Sequence, residues 1–425
     1  MKINIVSFNK NILVVYFFCL VLLPYSKYFP LRYEDILLGI LFLTTIMSSK
    51  KILQNIIIFS IVILFVLLIQ LLVYMLFNDG YIYVSNLQRA LLYIKITITY
   101  LIIETILSKF ELKQRLNIYR NIFYFLFISL ILGYLITFNI FGVQEIGKYY
   151  LGTGAAREVW MDRIRDLTYE FRMLGLFGNP NMFAFSISLM LSYYILIKNN
   201  SSYFMDLFIF SISIIAIFLS GSRTALVTIL VLLILYYFLK FMQNSTIKKL
   251  LFLFLGFTFI AIVIININNY SNSDYVSVAR LLEFDRYSFG GRGKLWDEQL
   301  NYITSNNLIN FLIGYGPLKE LANTGTLPLF SDSQFIGILK NFGFIIFLLF
   351  ILLVGFIIKR LFLKLNFNNE NYFNNKLFIS VIPIIISMIT IEILFNIQMV
   401  ILIMPFIFET FRNIKENYEK DINYK

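Results

Sequence analysis

The chain has no histidine and one cysteine, and charged residues make up only 14% of its 425 positions. A soluble domain carries about 25% charged residues, so a soluble enzyme, a disordered protein and a secreted disulfide scaffold are excluded. Without histidine there is no imidazole base, no imidazole metal ligand and no histidine pH switch. Cys19 sits inside an apolar block, which leaves no intrachain disulfide and no cysteine metal site. What is present is apolar: 59% of residues are hydrophobic, and the mean hydropathy is +0.78. These residues fall in blocks of roughly 17–25, each long enough to cross ~30 Å of hydrocarbon as a helix.

The expected fold is therefore all-α, a single polytopic membrane domain over 1–425 with about twelve transmembrane helices (range 11–13). The spans are expected at 11–25, 35–47, 55–77, 90–107, 121–142, 176–197, 203–220, 223–239, 249–266, 333–358, 377–394 and 397–411. The first block follows Lys2 and Lys10 in the manner of a signal peptide. It lacks a small-residue cleavage site and further spans follow at once, so it reads as a retained first helix.

Charge placement orients the chain. With a cytoplasmic N-terminus, the short inner segments and Lys249 hold 20 of the 36 basic residues, as the positive-inside rule requires. Both termini are then cytoplasmic. The net charge of +12 follows this membrane topology, so no nucleic-acid partner is expected. Of those 20 inner residues 16 are lysine, whereas 10 of the 14 outer ones are arginine. A planar, bidentate donor concentrated outside suits phosphates and carboxylates. The structural alternative is salt bridging to outer acids such as Asp162, Asp166, Glu283 and Asp285.

Two long outer loops are expected, at 143–175 and 267–332, and loops of that length are usually functional or disordered. The first carries Arg157, Arg163, Arg165 and Arg172 with Trp160, a pattern fit for a short amphipathic helix on the membrane surface. The second carries Arg280, Glu283, Asp285, Arg286, the run GGRGKLWDEQL from Gly290 and the run IGYGP from Ile313.

Four motifs bear chemistry. In GLFGNPNMFAF, Asn179 is a good N-cap and Pro180 suits a first helical turn. The functional reading is that this helix N-terminus receives an anion, with Asn181 as a polar contact. In SGSRTAL, Arg223 stands at the membrane edge beside a second helix N-terminus, where an arginine is costly unless paired or functional. Arg292 lies in a Gly-flanked turn ahead of a short helix carrying Trp296, and GGRGK lacks the spacing of a P-loop. In SDSQF, Asp332 either caps the following helix or acts as a carboxylate base, with Asp285 and Glu283 as rivals. Lys95, Glu104 and Lys340 within spans, and Glu392 near a helix end, are candidates to line a polar cavity or to snorkel.

In this order, GNPN, SRTAL, GRGKLW, IGYGP and SDSQFIGILKNFG resemble the O-antigen polymerase and O-antigen ligase-like family of bacterial membrane proteins. The matching residues are Gly178, Asn179, Asn181, Ser222, Arg223, Gly291, Arg292, Trp296, Gly314, Gly316, Asp332 and Gly343. The resemblance covers roughly residues 170–350; the N-terminal part matches only in hydropathy. It implies a multi-pass enzyme of the bacterial inner membrane that uses no metal or other cofactor. The implied substrates are saccharides on undecaprenyl diphosphate, and the implied partners are a chain-length regulator and a flippase.

Ligases of the family place a histidine where Asp332 stands, so the missing histidine favours a polymerase. In that role the resemblance makes Asp332, Arg223 and Arg292 catalytic. Arg172, Asn179, Asn181, Arg280, Asp285, Arg286 and Trp296 would bind substrate. An O-antigen ligase and a non-enzymatic flippase for lipid-linked sugars are the alternatives.

Overall fold

The computed structural model describes residues 5–24, 33–48, 50–77, 84–150, 173–198, 203–241, 292–305, 308–314, 333–365, 373–388 and 396–423. Every regular element among them is helical. The helices are α1 (Ile5–Leu22), α2 (Tyr33–Ser48), α3 (Lys50–Phe77), α4 (Val84–Ser108) and α5 (Leu112–Thr137). After α5 come a 3-10 segment (Ile140–Tyr149) and a 3-10 turn (Gly175–Phe177). Then follow α6 (Pro180–Ile197), α7 (Tyr203–Ser220), α8 (Arg223–Phe241), α9 (Arg292–Ser305) and α10 (Leu308–Ile313). The last three are α11 (Gln334–Phe362), α12 (Phe373–Ser387) and α13 (Ile397–Asn423).

Seven of these, α1, α3, α4, α5, α6, α11 and α13, are long and apolar enough to cross a membrane, and α7, α8 and α12 are shorter apolar helices. Eleven of the expected spans fall on helices in their described residues, while 249–266 and the last part of 377–394, from 389, lie outside the described residues. The chain is an all-α polytopic membrane protein. Boundaries move at several of them: the expected first span, 11–25, is the helix Ile5–Leu22, the expected fifth, 121–142, begins at Leu112 and ends at Thr137, and the last, 397–411, runs on to Asn423.

The centre of the bundle is α6. Within its apolar stretch 83% of residues are buried, against 17% in α3 and 11% in α11, so those two lie at the outside of the bundle. The hydrophobic effect cannot drive helices together in hydrocarbon; close packing and interhelical hydrogen bonds do. The sequence of α6 supplies small polar residues on buried faces, Ser186, Ser188 and Ser192. Ser380 of α12 donates to the Ser192 carbonyl at 2.9 Å, and Tyr193 donates to the Leu402 carbonyl of α13 at 2.7 Å.

One end of the bundle is locked by charge. Arg115 of α5 meets Glu409 of α13 through Nε (2.6 Å) and Nη2 (3.2 Å), with both side chains almost fully buried. Tyr119 donates to the same carboxylate at 2.6 Å, and Arg115 also donates to the Phe110 carbonyl at 2.6 Å. Every charged oxygen and nitrogen used there has a partner, which is the condition for tolerating a buried pair. Nearby, Asp206 accepts from Tyr194 at 2.5 Å and pairs with Lys198.

Candidate functional site

The opposite end of the bundle gathers three helix N-termini. At α6, Asn179 sits in extended backbone (φ −145°, ψ 128°) and its side chain accepts from the Asn181 and Met182 N–H groups at 2.9 and 3.3 Å. The turn before it depends on Gly175, at φ +56°, where a Cβ would lie 2.0 Å from the Phe183 ring. At α8, Gly221 (φ +62°) reverses the chain after α7, and the buried Ser222 donates its N–H to Ser220 Oγ at 3.2 Å. At α11, Ser333 (φ −146°, ψ 128°) starts the helix, and its carbonyl accepts from Gly337 at 2.9 Å.

Hydrogen bonds tie these three starts into one assembly. The Met173 N–H donates to the Leu219 carbonyl at 2.9 Å, joining the turn before α6 to the end of α7. Thr228 of α8 and Ser387 of α12 share a hydroxyl–hydroxyl bond of 3.1 Å. The Gln334 N–H donates to the Met388 carbonyl, just past α12, at 2.9 Å. Because α12 runs antiparallel to α6, with Ser380 at Ser192 and Lys376 at the Lys198 carbonyl, all three N-termini face the same side. Each carries roughly half a positive charge from the aligned peptide dipoles. Three together make one end of the bundle suited to anions.

The sequence-derived residues distribute around this end unevenly. Asn179 is the N-cap of α6, so its side-chain oxygen is engaged by the helix, and Asn181 is the second helical residue. Arg223 is the first residue of α8. Arg292 opens α9 rather than preceding it in a Gly-flanked turn, because the helix begins at that residue. Trp296 lies half-buried on α9, whose Gln299 and Ile303 are fully buried. Asp332 directly precedes Ser333 but lies outside the described residues, as do Arg172, Arg280, Asp285, Arg286 and Glu392. Lys95 pairs with Asp35 of α2.

A second junction was absent from the sequence reading. Helix α11 breaks at Gly343 (φ +77°, ψ 177°), and Gly314 (φ +87°), at the end of α10, lies directly against the break. A Cβ on Gly314 would stand 2.4 Å from the Gly343 N, and one on Gly343 would stand 2.3 Å from the Leu312 O. The buried Gln70 of α3 spans the junction, donating from Nε2 to the Ile313 carbonyl (3.2 Å) and the Asn341 carbonyl (3.1 Å). The break thus seats the end of α10, which lies inside the second long polar stretch, onto the helix that begins at the site. Beyond it, 344–362 alone is about 28 Å long at 1.5 Å per residue, close to one membrane thickness. The signal for Gln70 was a lone amide in an apolar run, where polar groups in lipid are costly and tend to have a partner.

Residues 208–351 match the family described as O-Antigen ligase. The matched O-antigen ligase segment contains the turn at Gly221, the start of α8, α9, α10, and the start and break of α11. It covers about a third of the chain and begins after the GNPN motif of α6. The match supports an O-antigen ligase- or polymerase-type membrane enzyme. No curated protein matches the chain.

Proposed function

We propose that this protein is the polymerase of that pair, joining lipid-diphosphate-linked oligosaccharide repeat units into a surface polysaccharide, an O-antigen or a capsule, on the outer face of the cytoplasmic membrane. The observation that carries the reading is the complete absence of histidine, the residue that ligases of this family set at the position of Asp332. The three converging helix N-termini supply a receiving end for a diphosphate.

In this reading the acceptor hydroxyl oxygen attacks the anomeric carbon of the donor glycan. The bond from that carbon to the diphosphate oxygen breaks, and the lipid diphosphate leaves with the electron pair. Asp332 takes the hydroxyl proton, and the Arg223 and Arg292 guanidiniums offset the charge that builds on the leaving group. Arg172, Arg280, Asp285, Arg286, Asn181 and Trp296 are assigned to substrate, with a flippase and a chain-length regulator as partners. Both termini lie in the cytoplasm.

A gel of surface polysaccharide from a deletion strain tests this directly. A ladder collapsed to a single repeat supports the polymerase. Full-length polymer stranded on the lipid carrier would establish the ligase instead, and no exported repeat at all would establish a flippase. Arg223→Lys then tests the site: it keeps the charge and loses the fork, so polymer should be lost at normal protein level. Normal chain lengths would remove Arg223 from the diphosphate.

A further inference from the structure

The 3-10 segment Ile140–Tyr149 does not run out from the end of α5; it folds back along it. A Cβ on Gly147 would come within 2.8 Å of Ile136 Cγ2, inside the last turn of α5. Tyr150, Ile136 and Leu176 form one buried cluster, with Leu22, Leu132 and Val143 packed against it, and the Tyr150 hydroxyl donates to the Leu22 carbonyl at the end of α1 at 2.9 Å. The segment therefore lies at the level of the last turns of two helices long and apolar enough to span, α1 and α5. Through Leu176 it also touches the turn that leads into the Asn179 cap.

Its exposed residues are mostly large and apolar, with Asn139 and Glu145 as the polar exceptions. Phe138 is 48% exposed, Ile140 41%, Phe141 89%, Ile146 48% and Tyr149 56%. The two helices beneath it expose apolar side chains as well, Val15 and Phe18 on α1 and Tyr124 and Ile128 on α5. A contiguous apolar surface rimmed by polar groups marks an interaction site or a membrane contact.

The backbone commits to this presentation. Asn139 (φ 50°) and Phe141 (φ 60°) are the only non-glycine residues with positive φ among those described, and Gly142 follows at φ 70°. For a bulky L-residue the left-handed region is unfavourable and persists only where the surroundings enforce it. Here the Asn139 side chain accepts from the Gln144 N–H at 3.2 Å, and the Asn139 carbonyl accepts from the Gly142 N–H at 3.2 Å. The strain turns Phe141 away from the protein, an arrangement that water would not reward and lipid would.

We propose that residues 138–149 form an interfacial anchor: a re-entrant ridge whose aromatic and aliphatic side chains sit in the glycerol and upper acyl region of the leaflet at the end holding the three helix N-termini. The occupant is the bilayer itself, because the ridge rests on the ends of two spans and continues their lipid-facing surface. Tyr149 at its edge matches the preference of tyrosine for that zone. The inference does not depend on which reaction the site performs.

Site-directed spin labelling of the full chain in proteoliposomes tests it. On a Cys19→Ala background, Phe141→Cys and, separately, Ile146→Cys carry the nitroxide. Collisions with dissolved oxygen should exceed those with a water-soluble nickel chelate at both sites, at a depth of about 5–10 Å, typical of interfacial segments. Nickel collisions exceeding those of oxygen would place the ridge in water and overturn the proposal. Low access to both reagents with dipolar broadening would assign the ridge to a second copy of the chain and overturn it equally.

Discussion

Replacing Gly343 with alanine puts a methyl group where the backbone of the second polar stretch now lies. At φ +77°, ψ 177° the residue occupies a region open essentially to glycine alone, which costs any other residue about 1–3 kcal/mol. The added Cβ would also meet the Leu312 O, Ile313 C and Gly314 N at 2.3, 2.4 and 2.5 Å. All three are backbone atoms, so no side-chain rotation relieves the overlap. The relief available is to push α10 off α11, which breaks the two hydrogen bonds from Gln70 at about 1 kcal/mol each. The combined cost is about 3–5 kcal/mol, a large part of the 5–15 kcal/mol that holds a typical fold together. Gly355 in the same helix is the control: a Cβ there meets nothing within 4 Å, and Gly→Ala in a helix is neutral or stabilising by up to about 1 kcal/mol. The assay is the thermal midpoint of purified protein in detergent, paired with the length distribution of surface polysaccharide. Gly343→Ala should lower the midpoint and shorten the ladder while Gly355→Ala does neither. Gly314→Ala should act alike, and the double variant should cost far less than the two singly, since either change separates the same surfaces. Indistinguishable results for Gly343→Ala and Gly355→Ala would refute the junction.

Glu409→Ala leaves the Arg115 guanidinium buried without its counter-charge and should destabilise by about 3–5 kcal/mol; Arg115→Leu added to it should recover much of the midpoint. Asn179→Ala removes a cap worth about 1 kcal/mol, whereas Asn179→Asp keeps the acceptor and should hold the midpoint. Lost polymer with Asn179→Asp at an unchanged midpoint would show that the residue does more than cap. Gln70→Leu deprives two backbone carbonyls of their donor at about 1–3 kcal/mol each, so its midpoint should fall toward that of Gly343→Ala.

The helices were legible because long apolar runs have few other outcomes in a membrane, and the start of α6 was legible because Asn179–Pro180 is a local cap signal that needs no tertiary partner. The break at Gly343 was not: the residue stood out only as a position shared with the resembling family, since a single glycine in KNFGFII reads as tolerated, and only the approach of Gly314 makes it a break. The Arg115–Glu409 pair joins residues 294 apart in sequence, and Gln70 reaches Ile313 across 243; such pairings leave no local periodicity. The 3-10 segment after α5 hid because its apolar residues continue the hydrophobic run of the span, which moved the expected end of that span to 142. The motifs GNPN, SRTAL and SDSQF marked the starts of α6, α8 and α11, which share one end of the bundle. They did not show that these starts are joined through Leu219, Ser387 and Met388.

The burial of α6 has a consequence for how the family segment is to be understood. That segment, 208–351, begins after α6 and stops before α12, yet α7 and α8 pack on α6, and α8 and α11 pack on α12. Cut out by itself, it would lose the partners of its inward faces and the carbonyl of Met388 that receives the first amide of α11. The matched stretch is thus a signature written on a larger body and not a transplantable module, and exchanging it between relatives would require α6 and α12 to travel with it.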